Sequence, residues 1–239
     1  NFSSRSQACP LLPSQVAVDL HFEEPPGASF FADSSGRGNH ATCSDGACPV
    51  PAHPGAVDNL GNAAGTPASD YAVRFDGVDD ALTLNNPYAA TGRSDFTVAF
   101  WYKAGVTGMA NAPFTVAGID ASNNTLVRVQ VDNRTGRIEF AFGSYVITAD
   151  NTGVNDGRWH AIVATRDGYA STGRLALYLD GATTPIASGN SLVTTLPPAI
   201  FRISGGGVPI DLDQFQVYTT ALTAATVRAR ADMHRMVAG

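Results

Sequence analysis

At 239 residues, 44% hydrophobic and only 15% charged, the chain can bury the core of one large β domain, and its surface must rest on Ser, Thr, Asn and Gly. A formal charge of −6, with 15 scattered Lys and Arg, excludes the dense cationic face that a nucleic-acid backbone requires. No stretch approaches the roughly 20 apolar residues of a membrane-spanning helix, so membrane insertion is not expected.

Residues 1–15 are polar and Pro-containing and are expected to form a linker or extended lead-in to a domain over residues 16–239. The start at Asn1, without Met, reads as a processed or excised segment of a larger chain. Lys103 is the sole lysine among many arginines, a bias that suggests a GC-rich bacterial genome. Val16, Val18, Leu20 and Phe22 alternate with polar positions, the period of a half-buried strand, and Pro25-Pro26-Gly27 stops it. Residues 30–70 are rich in Gly, Pro, Ser, Asn and Asp without sustained periodicity, and are expected to be a long loop held by a bridge or a metal. Within it, Cys43 and Cys48 bracket Ser44-Asp45-Gly46-Ala47, a turn short enough to bring two Cα atoms within disulfide range. A Cys43–Cys48 bridge implies an oxidising, extracellular setting. Cys9 is left either free or bonded to an upstream segment or another chain.

From residue 71 the chain reads as strands separated by explicit turns. Candidate strands are 72–75, 81–84, 96–103, 114–119, 125–132, 137–142, 145–149, 159–166, 175–179, 200–204 and 212–218. Asp-Gly pairs at 156–157, 167–168 and 180–181 and the run Asp132-Asn133-Arg134-Thr135-Gly136 supply turns. Many short strands at this spacing predict an all-β, two-sheet antiparallel sandwich. Both faces of residues 96–103 and 159–166 carry apolar side chains, which suits strands covered on both sides. One short C-terminal helix is expected, capped by Thr223, with Val227, Ala231 and His234 or Met233 on its inner face.

Five segments carry a resemblance when taken in order: DSSGRGNH (33–40), FDGVDD (75–80), FTVAFWY (96–102), GRWHAIVATRDG (157–168) and LDQFQVYTTAL (212–222). They resemble the laminin-G-like, concanavalin-A-like jelly rolls of large bacterial surface proteins, over nearly the whole chain from Val16. The resemblance implies two curved antiparallel sheets with the first and last strands adjacent. It also implies roles in glycan or protein recognition, and a short disulfide loop after the Asp-Ser-Ser-Gly turn. Where relatives often carry Glu after the Asp matching Asp213, this chain has Gln214.

If the first and last strands are neighbours, the residue 33–39 loop emerges near Asp213. A structural calcium site is then expected from Asp33, Asn39 and Asp213, with carbonyls near Gly36 and Gly38, because calcium takes 6–8 oxygen ligands. The opposing reading makes Asp33 a turn cap and Asp213 a solvated carboxylate. Asp76, Asp79 and Asp80 form a second acidic cluster, either an ion site at a binding rim or simply turn chemistry. Tyr88, Tyr145 and Tyr169, beside turns, are candidate rim platforms, and Trp101 and Trp159 are expected in the core. A glycosidase would need two carboxylates on one strand face, yet Glu23 and Glu24 are adjacent and Glu139 has no acidic residue two positions away. The expected function is a non-catalytic, calcium-supported module of a secreted or surface-exposed bacterial protein that binds a glycan or a cell-surface protein. A structural spacer or subunit of a surface assembly is the alternative, and a glycan-degrading enzyme the third class.

Overall fold

The computed structural model describes residues 15–44, 46–56, 70–84, 95–104, 112–120, 122–168, 173–192, 199–205 and 207–236. Cys9, Tyr88, Tyr169 and the lead-in up to residue 14 lie outside them. The strands are, in chain order, β1 (Val16–Leu20), β2 (Phe30–Phe31), β3 (Ala41–Thr42), β4 (Val50–Pro54), β5 (Tyr71–Phe75), β6 (Ala81–Leu84), β7 (Phe96–Ala104) and β8 (Phe114–Asp120). They continue with β9 (Thr125–Asp132), β10 (Arg137–Phe142), β11 (Tyr145–Ala149), β12 (His160–Asp167), β13 (Gly173–Leu179), β14 (Ala187–Ser191), β15 (Ala199–Ser204) and β16 (Ile210–Tyr218), followed by the helix α1 (Ala224–Met236). Every strand from residue 71 onward matches an expected one within a few residues, except β14, whose sequence ASGNS lacks an apolar alternation. The region expected as one loop over residues 30–70 holds β2, β3 and β4. The first two are only two residues long, and β4 contains two prolines, so periodicity had nothing to register.

The strands form two antiparallel sheets. The first runs β14-β13-β12-β7-β16-β5-β4, with β1 also paired to β16; the second runs β11-β10-β9-β8-β15-β6-β3-β2. Their facing surfaces share one core. Phe96, Phe100 and Tyr102 of β7 and Phe215 of β16 meet Phe114, Val129, Phe140 and Phe201 of the second sheet. The rings pack edge-on or tilted, with Phe114 at 5.8 Å from Phe100 and 5.4 Å from Tyr102.

The two outer faces differ. The first sheet is covered on both sides, as the two-faced apolar pattern of β7 and β12 requires. Trp101 and Ala161 pack outward with Ala56 and Ala231, and Ala99 and Val163 pack with Leu222 and Val227. Helix α1 supplies Val227 and Ala231. Its N-terminus is capped by Thr223, whose Oγ1 accepts the Thr226 N–H at 3.2 Å. The turn after β13 lies against the helix: a side chain at Gly181, where φ is +72°, would meet the Ala231 Cβ at 2.6 Å. The second sheet alternates cleanly. Val127, Val129 and Val131 of β9 point inward while Arg128 and Gln130 point out. Among the described residues no element covers its outer face.

Candidate binding face and the carboxylate clusters

The residue 33–39 loop is built around one carboxylate. Asp33 Oδ1 accepts the backbone N–H groups of Asp19 and Ser35, each at 2.9 Å. Oδ2 accepts the Ser35 hydroxyl and the Asn39 N–H, each at 2.8 Å. The Asn39 amide donates to the Ala17 carbonyl at 2.7 Å, and the Ser34 N–H to the Asp19 carbonyl. Gly36 and Gly38 take φ of +79° and +72°, which lets the chain fold back on the acid. Burial alone would raise the Asp33 carboxyl; the hydrogen bonds from Ser35, Asp19 and Asn39 outweigh it and hold the group below its ordinary value. Four donors occupy the roughly four lone-pair sites of a carboxylate. The loop therefore clips itself to β1 with N–H groups turned inward.

Asp213 lies elsewhere in the network. It is fully buried on the outer face of β16, opposite Trp101 of β7. Its Oδ2 accepts the Ala56 N–H at 2.9 Å, and its neighbour in charge is Asp70. Asp33 and Asp213 thus share no hydrogen-bond partner among the described residues. The strand pairing expected from the resemblance is present, yet β1 meets β16 at Phe215–Tyr218, beyond Asp213. Burial, then the charge of Asp70, pushes the Asp213 carboxyl well above its ordinary value. Asp211 shares its face but is held by Arg74, with contacts of 2.6 and 2.9 Å.

Three hollows lie along the open face of the second sheet. The central one, about 390 Å³, is lined by Asp79, Asp80, Thr115, Ala117, Ile119 and Arg202. A second, of about 210 Å³, shares Asp79 and Arg202 with it and is walled by Cys43, Ser44 and Thr83. A third, of about 240 Å³, is bordered by Gln130, Asp132, Arg134, Arg137 and Glu139. Register explains the alignment: Arg202 of β15 stands between Thr83 of β6 and Ala117 of β8, and Thr115, Gln130 and Glu139 continue the next row. Glu139 is engaged by Arg128, and Arg137 lies 3.8 Å away. Arg202 is exposed, and no carboxylate lies within ion-pair distance of it among the described residues.

Asp76, Asp79 and Asp80 place carboxylate oxygens within 4.8 Å of one another at the edge of the central hollow. Asp80 also holds its own turn, accepting the Asp76 N–H at 2.6 Å. The bend depends on Gly77, where φ is +82° and a Cβ would strike the Val208 backbone at 2.5 Å. Tyr145 does not stand at a rim: as the first residue of β11 it shares the inward parity of Ile147 and packs, half-buried, against the core. The Cys43–Cys48 bridge is present, with Cα atoms 5.1 Å apart.

A family model described as the concanavalin A-like lectin/glucanases superfamily, of laminin-G type, matches residues 76–228, more than half of the chain. The chain belongs to this superfamily. No curated protein matches it. Among solved structures, the binding domain of Paraclostridial mosquitocidal protein 1 is similar at a TM-score of 0.65 and 16% identity, over 94% of this chain and 53% of that one. The receptor-binding domain of botulinum neurotoxin D gives 0.66 and 13%, over 92% and 53%. The type D ligand-binding domain in complex with N-acetylneuraminic acid gives 0.63 and 12%, over 93% and 52%. This lectin-like chain therefore spans about half the length of those domains, and at such identities the likeness is one of fold. Among the described residues, no helix is long and apolar enough to cross a membrane.

Arg202, Thr115 and Ala117 went unnoticed in the sequence. Their signal was the alternation Ile200, Arg202, Ser204 in β15, which marks outward positions without saying which outer face stays uncovered. Asp70 was missed because it closes a stretch with no periodicity.

Proposed function

We propose that the chain is a non-catalytic, extracellular binding module that takes a glycan, free or carried on a cell-surface protein, on the open face of its second sheet. The observation that carries this reading is the 390 Å³ hollow around Arg202. Ala117 and Ile119 give it an apolar floor suited to the CH face of a sugar ring. Arg202 offers a fork of donors, and Asp79 and Thr115 offer acceptors, for vicinal hydroxyls or a glycan carboxylate. The solved relatives are binding domains, one of them bound to N-acetylneuraminic acid, which supports a saccharide over other ligand classes. The disulfide supports an oxidising location such as the secreted or cell-surface space of a bacterium. Calcium in this reading is structural and does not touch the sugar.

A glycan array tests the reading, run with the wild-type chain and Arg202→Ala, each with calcium and with EGTA. Arg202→Ala is expected to weaken the strongest hit about tenfold or more, as loss of a central charged anchor does, while leaving the melting temperature unchanged because the side chain is exposed. A blank array together with concentration-dependent self-association would overturn it in favour of a structural subunit. Release of reducing sugar would overturn the non-catalytic assignment.

A further inference from the structure

The cover on the outer face of the first sheet thins out at the start of α1. Two threonines stand side by side there, Thr97 of β7 and Thr165 of β12, paired across the ladder. Thr97 is fully buried and its hydroxyl is used twice. It donates to the Thr220 carbonyl at 2.8 Å and accepts the Leu222 N–H at 2.9 Å. Those bonds pin the link between β16 and α1 to the sheet. Thr165 is only 5% exposed, yet its hydroxyl makes no hydrogen bond among the described residues. It lines a hollow of about 200 Å³ bounded by β12, β13 and the first residues of α1. A hydroxyl so deeply buried is costly unless something in the hollow pairs with it.

The rest of the lining supplies donors, an apolar floor and one acceptor. Ala176, paired with Thr165, is a small buried floor residue. Tyr178, two residues further along the same face of β13, is half-buried and lines the hollow as well. Arg174 and Asp167 stand opposite each other in register at the end of the ladder. Arg174 is exposed, and no carboxylate lies within ion-pair distance of it among the described residues. Leu222, Thr223 and Ala224 form the remaining wall, so the N-terminus of α1 borders the hollow. Thr223 takes the Thr226 N–H on its hydroxyl and the Val227 N–H on its carbonyl. The N–H groups of Ala224 and Ala225 keep no internal partner among the described residues, and the first turn holds no acidic residue. The positive end of the helix is therefore uncompensated at the hollow.

We propose that this hollow is a subsite for one acidic sugar ring, whose carboxylate or sulfate group lies between Arg174 and the N-terminus of α1 and accepts the Thr165 hydroxyl. Guanidinium, helix N–H groups and hydroxyl are all donors, which selects an oxyanion over a neutral substituent. Tyr178 flanks the ring, and Asp167 accepts from its hydroxyls at the far end. A hollow of this size falls below the roughly 300–1,000 Å³ of a drug-sized pocket, so it holds a single ring and not an oligomer. It lies on the outer face opposite to the one that carries Arg202 and does not depend on that hollow. A chain with both sites engages two glycan ends at once.

Amide chemical shifts of the isotope-labelled full chain, titrated with glucuronate, glucose 6-sulfate, glucose and inorganic sulfate, test this. The expected result is saturable shifts at Thr165, Arg174 and Ala224–Thr226 with an acidic sugar, at a dissociation constant of about 1 mM, which suits a ligand of so few atoms. The two acidic sugars distinguish a carboxylate from a sulfate ester, and glucose is expected to bind about tenfold more weakly or not at all. Arg174→Ala is expected to weaken binding about tenfold, while Arg228→Ala, further along α1 and paired with Asp232, keeps it. Thr165→Val removes the hydroxyl and keeps the branched shape. It is expected to weaken binding about threefold or more without lowering the melting temperature, because that hydroxyl holds nothing within the fold. Absence of shifts at these amides with about 20 mM acidic sugar overturns the proposal and leaves water as the partner of Thr165; this arm needs no variant to fold. Equal binding of glucose, or inorganic sulfate binding as tightly as its sugar ester, overturns the acidic-sugar assignment. Shifts confined to β15 around Arg202 would overturn this site and support the other, whereas a blank glycan array with shifts at α1 would do the reverse.

Discussion

His160 sits between two acids, with Nδ1 2.9 Å from Asp180 Oδ2 and Nε2 3.0 Å from Asp156 Oδ1. An ionised carboxylate only accepts, so satisfying both contacts requires a proton on each ring nitrogen, which is the imidazolium form. Burial lowers the affinity of the ring for that second proton, but the hydrogen bonds it donates to Asp180 and Asp156 outweigh this, and the group is raised above its ordinary value. The folded state therefore holds the proton more tightly than the unfolded chain. The resulting stabilisation is complete below the unfolded value near 6.5 and disappears as pH rises through the higher folded value. At the acid end Asp156 is held below its ordinary value, so its share fades only as pH falls through that lowered value. His160→Gln is expected to cost roughly 1–2 kcal/mol near pH 5.5, as charged hydrogen bonds with a half-exposed partner do, and close to nothing near pH 9. Chemical denaturation of both proteins at the two pH values checks it; an equal loss at both would show that the clamp does not titrate. In the sequence His160 falls within the expected strand 159–166, where nothing marks its partners. Asp156 is a local partner, four residues back along the chain, whereas Asp180 reaches the ring only when β12 and β13 pair.

The short strands of the second sheet depend on their connections. β3 has two residues, and the Cys43–Cys48 bridge follows it directly. The bridged loop is pinned to the start of β6 by the Ala81 N–H donating to the Ala47 carbonyl at 3.1 Å. It also forms one wall of the hollow that contains Arg202. Closing so small a ring removes modest unfolded-chain entropy, worth about 2 kcal/mol. The double variant Cys43→Ser/Cys48→Ser is expected to lower stability by about that amount in a denaturant titration. A reductant should then affect the wild type and leave the double variant untouched; a reductant effect in the variant would place the responsible thiol elsewhere. The bridge was readable from spacing because a six-residue segment with an internal Gly constrains its own ends. β2, β3, β4 and β14 were not, since a strand of two residues, or one interrupted by Pro or Gly, is defined by its neighbours' hydrogen bonds more than by its own pattern.

Both sheets unfold as one unit if they share one core, and Phe114 is the place to ask. It is 1% exposed and touches the rings of Phe75, Phe100 and Tyr102 across the sandwich. Phe114→Ala is expected to cost about 3–5 kcal/mol and to lower the melting temperature by roughly 10 °C. Fluorescence of Trp101 and far-ultraviolet circular dichroism should report one coincident transition, since Trp101 belongs to the opposite sheet. Two separated transitions would show that the sheets melt independently.

The alternation of apolar residues, the turn chemistry and the ordered motifs were sufficient for the all-β class, two sheets, nearly every long strand, the capped terminal helix and the disulfide. All of these are local, set by side chains within a few positions of one another, so one-dimensional order encodes them. The fate of the carboxylates was not local. Asp33 and Asp213 looked like partners because β1 and β16 adjoin, yet a few residues of register hand Asp213 to Asp70 and leave Asp33 to its own loop. The two-faced apolar rows of β7 and β12 marked their sheet as one covered on both sides, but what covers it was not legible. It was decided where helix α1 and Ala56 come to rest on β7, β12 and β16, leaving Arg202 and its neighbours in solvent.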